Sequence, residues 1–128
     1  QGLPMAVEFP NLSDEQLLRR LFQGPKRFVG QQYEDGLAQG EQKHVQIESN
    51  LDNSYTKNED LWTVKLMIQN KADEGSGKKI AVQKDGWTEG LELSPQQVIK
   101  FEEAHIVDDH FEVERLDSSG EFLAVFYG

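Results

Sequence analysis

The chain has 128 residues, close to the size of one common domain, and 37% of them are hydrophobic, which excludes an intrinsically disordered composition. Its 13 basic and 23 acidic residues give a net charge of -10, and so negative a surface repels phosphate backbones and anionic lipids. We therefore expect one folded domain whose partners are neither nucleic acid nor membranes.

The first residues of the chain suggest where the domain begins, and its lack of cysteine suggests its cellular location. The first four residues, QGLP, precede Met5 and are typical of the remnant of a cleaved expression tag, so we expect a single domain over residues 5–128. Small exported domains commonly use disulfides, and this chain has no cysteine. We therefore expect a cytoplasmic protein.

The clearest predicted helix covers residues 14–22. Ser13 and Gln16 have the spacing of a capping box, and Gly24 with Pro25 ends the segment. An apolar stripe at helical spacing runs along one side and consists of Leu17, Leu18, Leu21 and Phe22. We expect this amphipathic helix to pack on a sheet, near the last strand, whose residues are apolar on both faces.

After Pro25 the pattern changes to short runs of β-branched and aromatic residues separated by turn formers, which predicts strands. The predicted strands cover residues 27–33, 43–49, 61–70, 79–84, 87–93, 98–107, 110–116 and 121–127. The segment from Ser94 also fits a short helix, because Ser94, Pro95 and Gln97 suit a helix start. Both alternatives stay open at this point.

These elements predict a mainly antiparallel β fold of the α+β class. The N-terminal helix packs on an antiparallel meander of about six to eight strands. If the segment after Ser94 is a strand, the meander has enough strands to close into a calycin-like barrel of the kind that holds one small ligand.

Two hairpins are predicted within this meander. Asp85-Gly86 is a favoured two-residue turn, and counting outward from it pairs Val82 with Glu89 and Ile80 with Leu91. A second turn at 108–109 pairs the strands on either side of it. Its pairs, continued into the last strand, place five apolar residues on one buried face: Phe111, Val113, Phe122, Ala124 and Phe126.

The other face of the second hairpin collects histidines and carboxylates. The predicted register sets His105 opposite Glu112 and Glu103 opposite Glu114, with His110 beside the turn. No spacing here matches a two-histidine zinc motif, and no cofactor motif occurs elsewhere. We therefore predict a solvated or partner-facing strand surface, with no metal or cofactor.

The first functional hypothesis is a non-catalytic protein-binding module, of the inhibitor or assembly-partner type, that uses an acidic surface to engage a basic protein. The predicted contact residues are Glu103, Glu112 and Glu114, because the hairpin register places them on one face.

The alternative hypothesis is a calycin-like carrier of a small apolar ligand or pigment. Trp62, Trp87, Phe111 and Phe126 would line its cavity, and Arg115 would meet a polar head group. The same aromatics fit an ordinary packed core equally well. The glycine-any-residue-tryptophan motif typical of lipocalins is absent from the sequence.

A third hypothesis is an enzyme of unknown class. The sequence contains no nucleophile elbow and no metalloprotease pair of histidines, so we expect no catalytic activity.

Overall fold

A computed structural model describes residues 7–8, 16, 28–51, 63–106, 109–115 and 120–127. The strands in chain order are β1 (Val7–Glu8), β2 (Phe28–Leu37), β3 (Gln42–His44), β4 (Thr63–Asn70), β5 (Ile80–Lys84), β6 (Leu91–Leu93), β7 (Gln97–His105), β8 (Phe111–Arg115) and β9 (Gly120–Tyr127). A short 3-10 helix, Glu48–Asn50, follows β3. The predicted mainly antiparallel β fold is confirmed, and each predicted strand has a counterpart.

The strands form two sheets instead of one meander. A five-stranded sheet has the order β1-β7-β4-β9-β2, and a four-stranded sheet has the order β3-β8-β5-β6. Among the described strands, β5 and β6 are the one pair of neighbours that are also consecutive in the chain. The predicted meander is therefore wrong, and within the described residues the sheets do not close into a calycin-like barrel.

One apolar core lies between the two sheets. Strand residues alternate between two faces, so each sheet turns every second side chain toward the other sheet. The five residues predicted to be buried together belong to this core: Phe111, Val113, Phe122, Ala124 and Phe126. That burial prediction is confirmed, although the strand pairing from which it was inferred is wrong.

The predicted hairpin around residues 108–109 does not form. Ala104 of β7 pairs with Val64 in the five-stranded sheet, whereas Val113 of β8 pairs with Val82 in the four-stranded sheet. Between the strands, the His105 N–H donates to Asp109 Oδ2 at 2.7 Å and the Asp109 N–H donates to the His105 oxygen at 3.0 Å. This turn carries the chain from one sheet to the other, so the two apolar faces meet across the core rather than side by side.

The last strand has different neighbours from those predicted. Strand β9 pairs with β2 and β4, so Ala124 lies between Gln32 and Ile68 rather than beside Val113. Strand β8 pairs with β3 and β5. Phe111 and Phe126 therefore belong to opposite layers of the core.

The hairpin at Asp85-Gly86 exists, but its register is shifted by two residues. Ile80 pairs with Leu93 and Val82 with Leu91, instead of Leu91 and Glu89. The Trp87 N–H donates to the Lys84 oxygen at 3.0 Å, which closes the predicted turn, and Gly86 has φ +91°. Residues 88–90 then lengthen the loop before β6. A shift of two keeps each side chain on its predicted face.

The segment after Ser94 is a turn followed by strand β7, so the helix alternative is wrong. The Gln97 N–H donates to the Ser94 oxygen at 3.0 Å, and the Ser94 N–H donates to Gln97 Oε1 at 2.8 Å. Gln96 between them has φ +70°, outside the helical region. The residues that suit a helix start here close a tight turn.

The outer face of the five-stranded sheet also carries buried apolar residues. Met67, Val98, Leu123 and Val125 point away from the four-stranded sheet by their register, yet they are buried. The N-terminal helix was predicted to pack near the last strand, β9, to which Leu123 and Val125 belong. Apart from Gln16, residues 14–22 lie outside the described residues, so the helix and its packing stay predictions. Among the described residues, no helix is long and apolar enough to cross a bilayer.

Candidate functional site

The outer face of the four-stranded sheet carries a row of carboxylates, which we call the acidic face. Its seven strand positions are Gln42, His44, Ala81, Gln83, Glu92, Glu112 and Glu114. They point outward because the residues between them in β5, β6 and β8 belong to the core, among them Val82, Leu93 and Val113.

The register brings the three glutamates together. Glu114 lies between Gln42 and Ala81, and Ala81 lies between Glu114 and Glu92. Two strand spacings, about 10 Å, therefore separate Glu114 from Glu92, and two residues along β8, about 7 Å, separate it from Glu112. Glu92 is exposed, while Glu112 and Glu114 are half-buried.

Few positive groups neutralise these charges. None of the seven described outward positions holds lysine or arginine. The nearest contacts are weak ones: His44 Nδ1 lies 3.4 Å from Glu112 Oε1, and Gln42 Nε2 donates to Glu114 Oε1 at 3.3 Å. Lys84, at the end of β5, instead faces Asp109 at 3.7 Å. Within the described strand positions of this face, no lysine or arginine therefore offsets the negative charge of the three glutamates.

A cleft of about 500 Å³ adjoins the acidic face at His44. It is lined on one side by the segment from His44 to Ser49 and on the other by Ile106, Asp109, His110 and Phe111. Its floor is apolar and buried and consists of Val45, Ile47, Ile106 and Phe111, while its rim carries polar groups that include Glu48, Ser49, Asp109 and His110. This combination is typical of binding sites, and the volume lies in the range of about 300 to 1,000 Å³ common for ligand pockets.

One cleft wall is held by a buried glutamine from the other sheet. Gln32 Nε2 donates to the His44 oxygen at 2.9 Å, and Gln32 Oε1 accepts the Gln46 N–H at 2.7 Å and Asn50 Nδ2 at 3.4 Å. The Val45 N–H donates to the Phe111 oxygen at 2.9 Å, which joins this wall to the opposite one. The segment 44–50 is thus fixed by hydrogen bonds although most of it is not in a strand.

A glycine lets the 3-10 helix approach the sheet. Gly30 forms an isolated antiparallel bridge with Leu51, and a Cβ at position 30 would lie 2.1 Å from the Asn50 oxygen. A larger residue does not fit without moving the backbone of the 3-10 helix. Gly30 therefore places Glu48 and Ser49 at the cleft.

The predicted acidic contact residues are not all on one face. Glu112 and Glu114 occupy the acidic face, but Glu103 is exposed on β7 of the other sheet. The grouping depended on the hairpin that does not form. Sequence reasoning did not include Glu92 among the contact residues, although its alternation with Leu91 and Leu93 placed it outward, because the predicted face was built from the other hairpin.

The predicted cavity residues divide between the core and other positions. Phe111 and Phe126 are buried in the core, and Phe111 also lines the cleft. Trp87 is half-buried, and the Phe101 ring lies 6.0 Å from that of Trp87 and 4.7 Å from that of Phe111. Trp62 and the Arg115 side chain lie outside the described residues. Among the described residues, Phe111 and Phe126 are part of the core between the sheets, and Trp87 packs against it.

The histidines of the segment 104–115 are not assembled into a metal-binding cluster within the described part of the chain, where no three His, Asp or Glu side chains are placed to hold one ion.

A scan against protein-family models, a search of curated proteins and a search of solved structures each found no match. The acidic face and the adjoining cleft are the features that point to function.

Proposed function

We propose that this protein is a non-catalytic binding module that engages a basic protein surface through the acidic face. The observation that supports this proposal is the alignment of Glu92, Glu112 and Glu114 on one sheet face whose described strand positions include no lysine or arginine. Glu103, on the other sheet, is no longer part of the proposed contact.

Electrostatics gives the face its proposed role. The strand positions of Glu112 and Glu92 lie about 7 and 10 Å from that of Glu114, spacings comparable to the screening length of about 8 Å at physiological salt, so the fields of these carboxylates add near the surface. Such a patch speeds the encounter with a basic partner and orients it, and this effect weakens as salt rises. The half-buried side chains of Glu112 and Glu114 also lose less side-chain entropy on binding than fully exposed ones would.

The carrier hypothesis keeps one supporting observation, the cleft beside Phe111. Its other premise, a barrel with aromatics around an internal cavity, does not match the two-sheet fold. We also propose a cytoplasmic location, because a chain without cysteine suits a reducing compartment.

The test uses a fluorescein-labelled peptide, which we call the alanine peptide, with one alanine between two pairs of lysines. The first variant changes Glu92, Glu112 and Glu114 to Gln. The control variant changes three exposed glutamates elsewhere, Glu74, Glu89 and Glu103, to Gln. Both variants lose three negative charges, so both have a net charge of -7 instead of -10.

Anisotropy and stopped-flow measurements at low and physiological salt then compare how the two variants bind the alanine peptide. We expect the face variant to bind the alanine peptide on the order of tenfold more slowly than the control variant at low salt, with the difference shrinking as salt rises. Equal rates for the two variants would show that only net charge matters, and would overturn the proposal.

A further inference from the structure

We propose that the cleft beside the acidic face binds an apolar side chain, preferably aromatic, of a basic peptide segment that lies across that face. This inference rests on the proposed function and specifies the chemistry of the partner. It begins from the composition of the cleft, whose buried apolar floor is surrounded by a polar rim.

The floor sets the preference for an apolar anchor. Val45, Ile47 and Ile106 are 8%, 3% and 6% exposed, Phe111 is 1% exposed, and all four line the cleft, so an inserted side chain would contact apolar atoms there. An inserted aromatic ring would cover that surface, and buried aromatic anchors in such pockets commonly dominate the affinity of protein interfaces. The volume of about 500 Å³ leaves room for a large side chain and part of its backbone.

The rim sets the charge of the peptide. The lining residues include Glu48 and Asp109 but no lysine or arginine among those described, and Glu112 lies 3.4 Å from the rim residue His44. Lys84 partly neutralises Asp109, whereas Glu48 is exposed. A peptide with basic residues on both sides of its apolar anchor would therefore match the cleft and the acidic face together.

Continuity joins the two features into one surface. His44 is both an outward residue of the acidic face and a lining residue of the cleft. Phe111 and Glu112 are consecutive in β8 but point to opposite faces of the sheet, so the two features meet at its edge, where His44 lies. A peptide anchored in the cleft would reach Glu112 and Glu114 within about three residues of extended chain.

The experiment compares the alanine peptide with a tryptophan peptide, in which tryptophan replaces the alanine between the same lysine pairs. We expect the wild-type protein to bind the tryptophan peptide about tenfold more tightly, a difference of about 1.4 kcal/mol. The variant Ser49→Trp fills the mouth of the cleft from an exposed position on the 3-10 helix. It should remove the preference, so that this variant binds the tryptophan peptide and the alanine peptide with the same affinity.

Matched variants distinguish this inference from the proposed function. Ser76→Trp places the same side chain on an exposed turn that does not line the cleft, and it should keep the preference. Gln46→Trp, a second cleft-filling variant, should remove it even if Ser49→Trp folds poorly. The variant that changes Glu92, Glu112 and Glu114 to Gln should lower the affinity for both peptides equally and keep the preference for tryptophan.

Two results would overturn the inference. One is a tryptophan preference that survives in both cleft-filling variants, since the anchor would then bind elsewhere. The other is equally tight binding of a peptide in which glycines replace the lysines, since the cleft would then take apolar ligands regardless of charge. Loss of the difference between the two glutamine variants, with the tryptophan preference intact, would instead contradict the proposed function alone.

Discussion

The side-chain oxygen of Gln32 accepts the backbone N–H of Gln46 at 2.7 Å and thereby ties the five-stranded sheet to the wall of the cleft. Gln32 lies at an inward position of β2, opposite Ala124, and is 7% exposed. Its amide nitrogen donates to the His44 oxygen at 2.9 Å. A polar side chain in the core is thus satisfied by backbone groups that a loop segment would otherwise leave unpaired.

The first prediction concerns this glutamine. Gln32→Leu keeps roughly the same volume but removes the side-chain partner of the Gln46 N–H and of the His44 oxygen, whose hydrogen bonds with Gln32 are part-buried. We expect a loss of about 1 to 3 kcal/mol in the free energy of unfolding. Urea denaturation measures it, with Gln31→Leu on the exposed side of the same strand as control. Equal losses in both variants would mean that the hydrogen bonds contribute nothing.

The second prediction concerns Gly30. A methyl group there would lie 2.1 Å from the Asn50 oxygen, so Gly30→Ala should displace the 3-10 helix. We expect a cost of about 1 to 3 kcal/mol, as for other overpacked sites. Thermal denaturation gives the stability, and amide exchange at residues 48–51 reports the displacement. Gly75→Ala is a control without a steric clash, because no atom lies within 4 Å of its added carbon; its backbone has φ +81°, so it can lose stability through strain but should leave exchange at 48–51 unchanged. Exchange unchanged from wild type at 48–51 would contradict the displacement.

The third prediction concerns the core. Phe126 is fully buried on β9, so Phe126→Ala should cost about 3 to 5 kcal/mol. Phe28, on the same sheet, is 52% exposed, and Phe28→Ala should cost less than about 1 kcal/mol. Denaturant titration compares the two variants. A loss below about 1 kcal/mol at Phe126 would place it outside the core.

The burial of Phe126 illustrates what the sequence could predict. Alternation in 121–127 identifies the inward residues, because side chains of a strand point to opposite faces in turn. Alternation does not identify the neighbouring strands, which for β9 are β2 and β4 rather than β8. Pairs between distant segments leave no local turn signal, so a sandwich and a meander with the same inward residues have the same pattern.

The acidic face was predicted in part for the same reason. Glu112 and Glu114 alternate with core residues of β8, so their face followed from the pattern alone. Glu103 was grouped with them through the pairing of strands, which the pattern could not supply. In β7, Ala104 and Phe101 pair with Val64 and Leu66, so one extra residue lies between them and interrupts the alternation near Glu103.

The fourth prediction concerns the histidines of 104–115. The hydrogen bond between His105 and Asp109 Oδ2 uses the backbone N–H of His105, and the His110 oxygen accepts the Asp85 N–H, so alanine at either position keeps these bonds. We expect His105→Ala and His110→Ala to fold nearly as wild type, and the purified protein to carry no tightly bound transition metal. Elemental analysis provides the test. One equivalent of zinc that is lost in either variant would overturn this expectation.

The last prediction concerns the ionisation of Tyr33. Its hydroxyl donates a hydrogen bond to the Glu121 carboxylate, and this bond, with some desolvation and the negative charge of Glu121, raises the pKa of Tyr33 to about 12. Because this pKa lies above the value of about 10 in the unfolded chain, the stabilisation is complete below pH 10 and is lost as the pH rises through 12. Absorbance titration of the wild type minus Tyr33→Phe isolates this phenol from the two other tyrosines. In Glu121→Gln the phenol of Tyr33 should ionise near pH 10. Ionisation near pH 10 in the wild type as well would exclude the hydrogen bond, since no carboxylate would then be holding the proton.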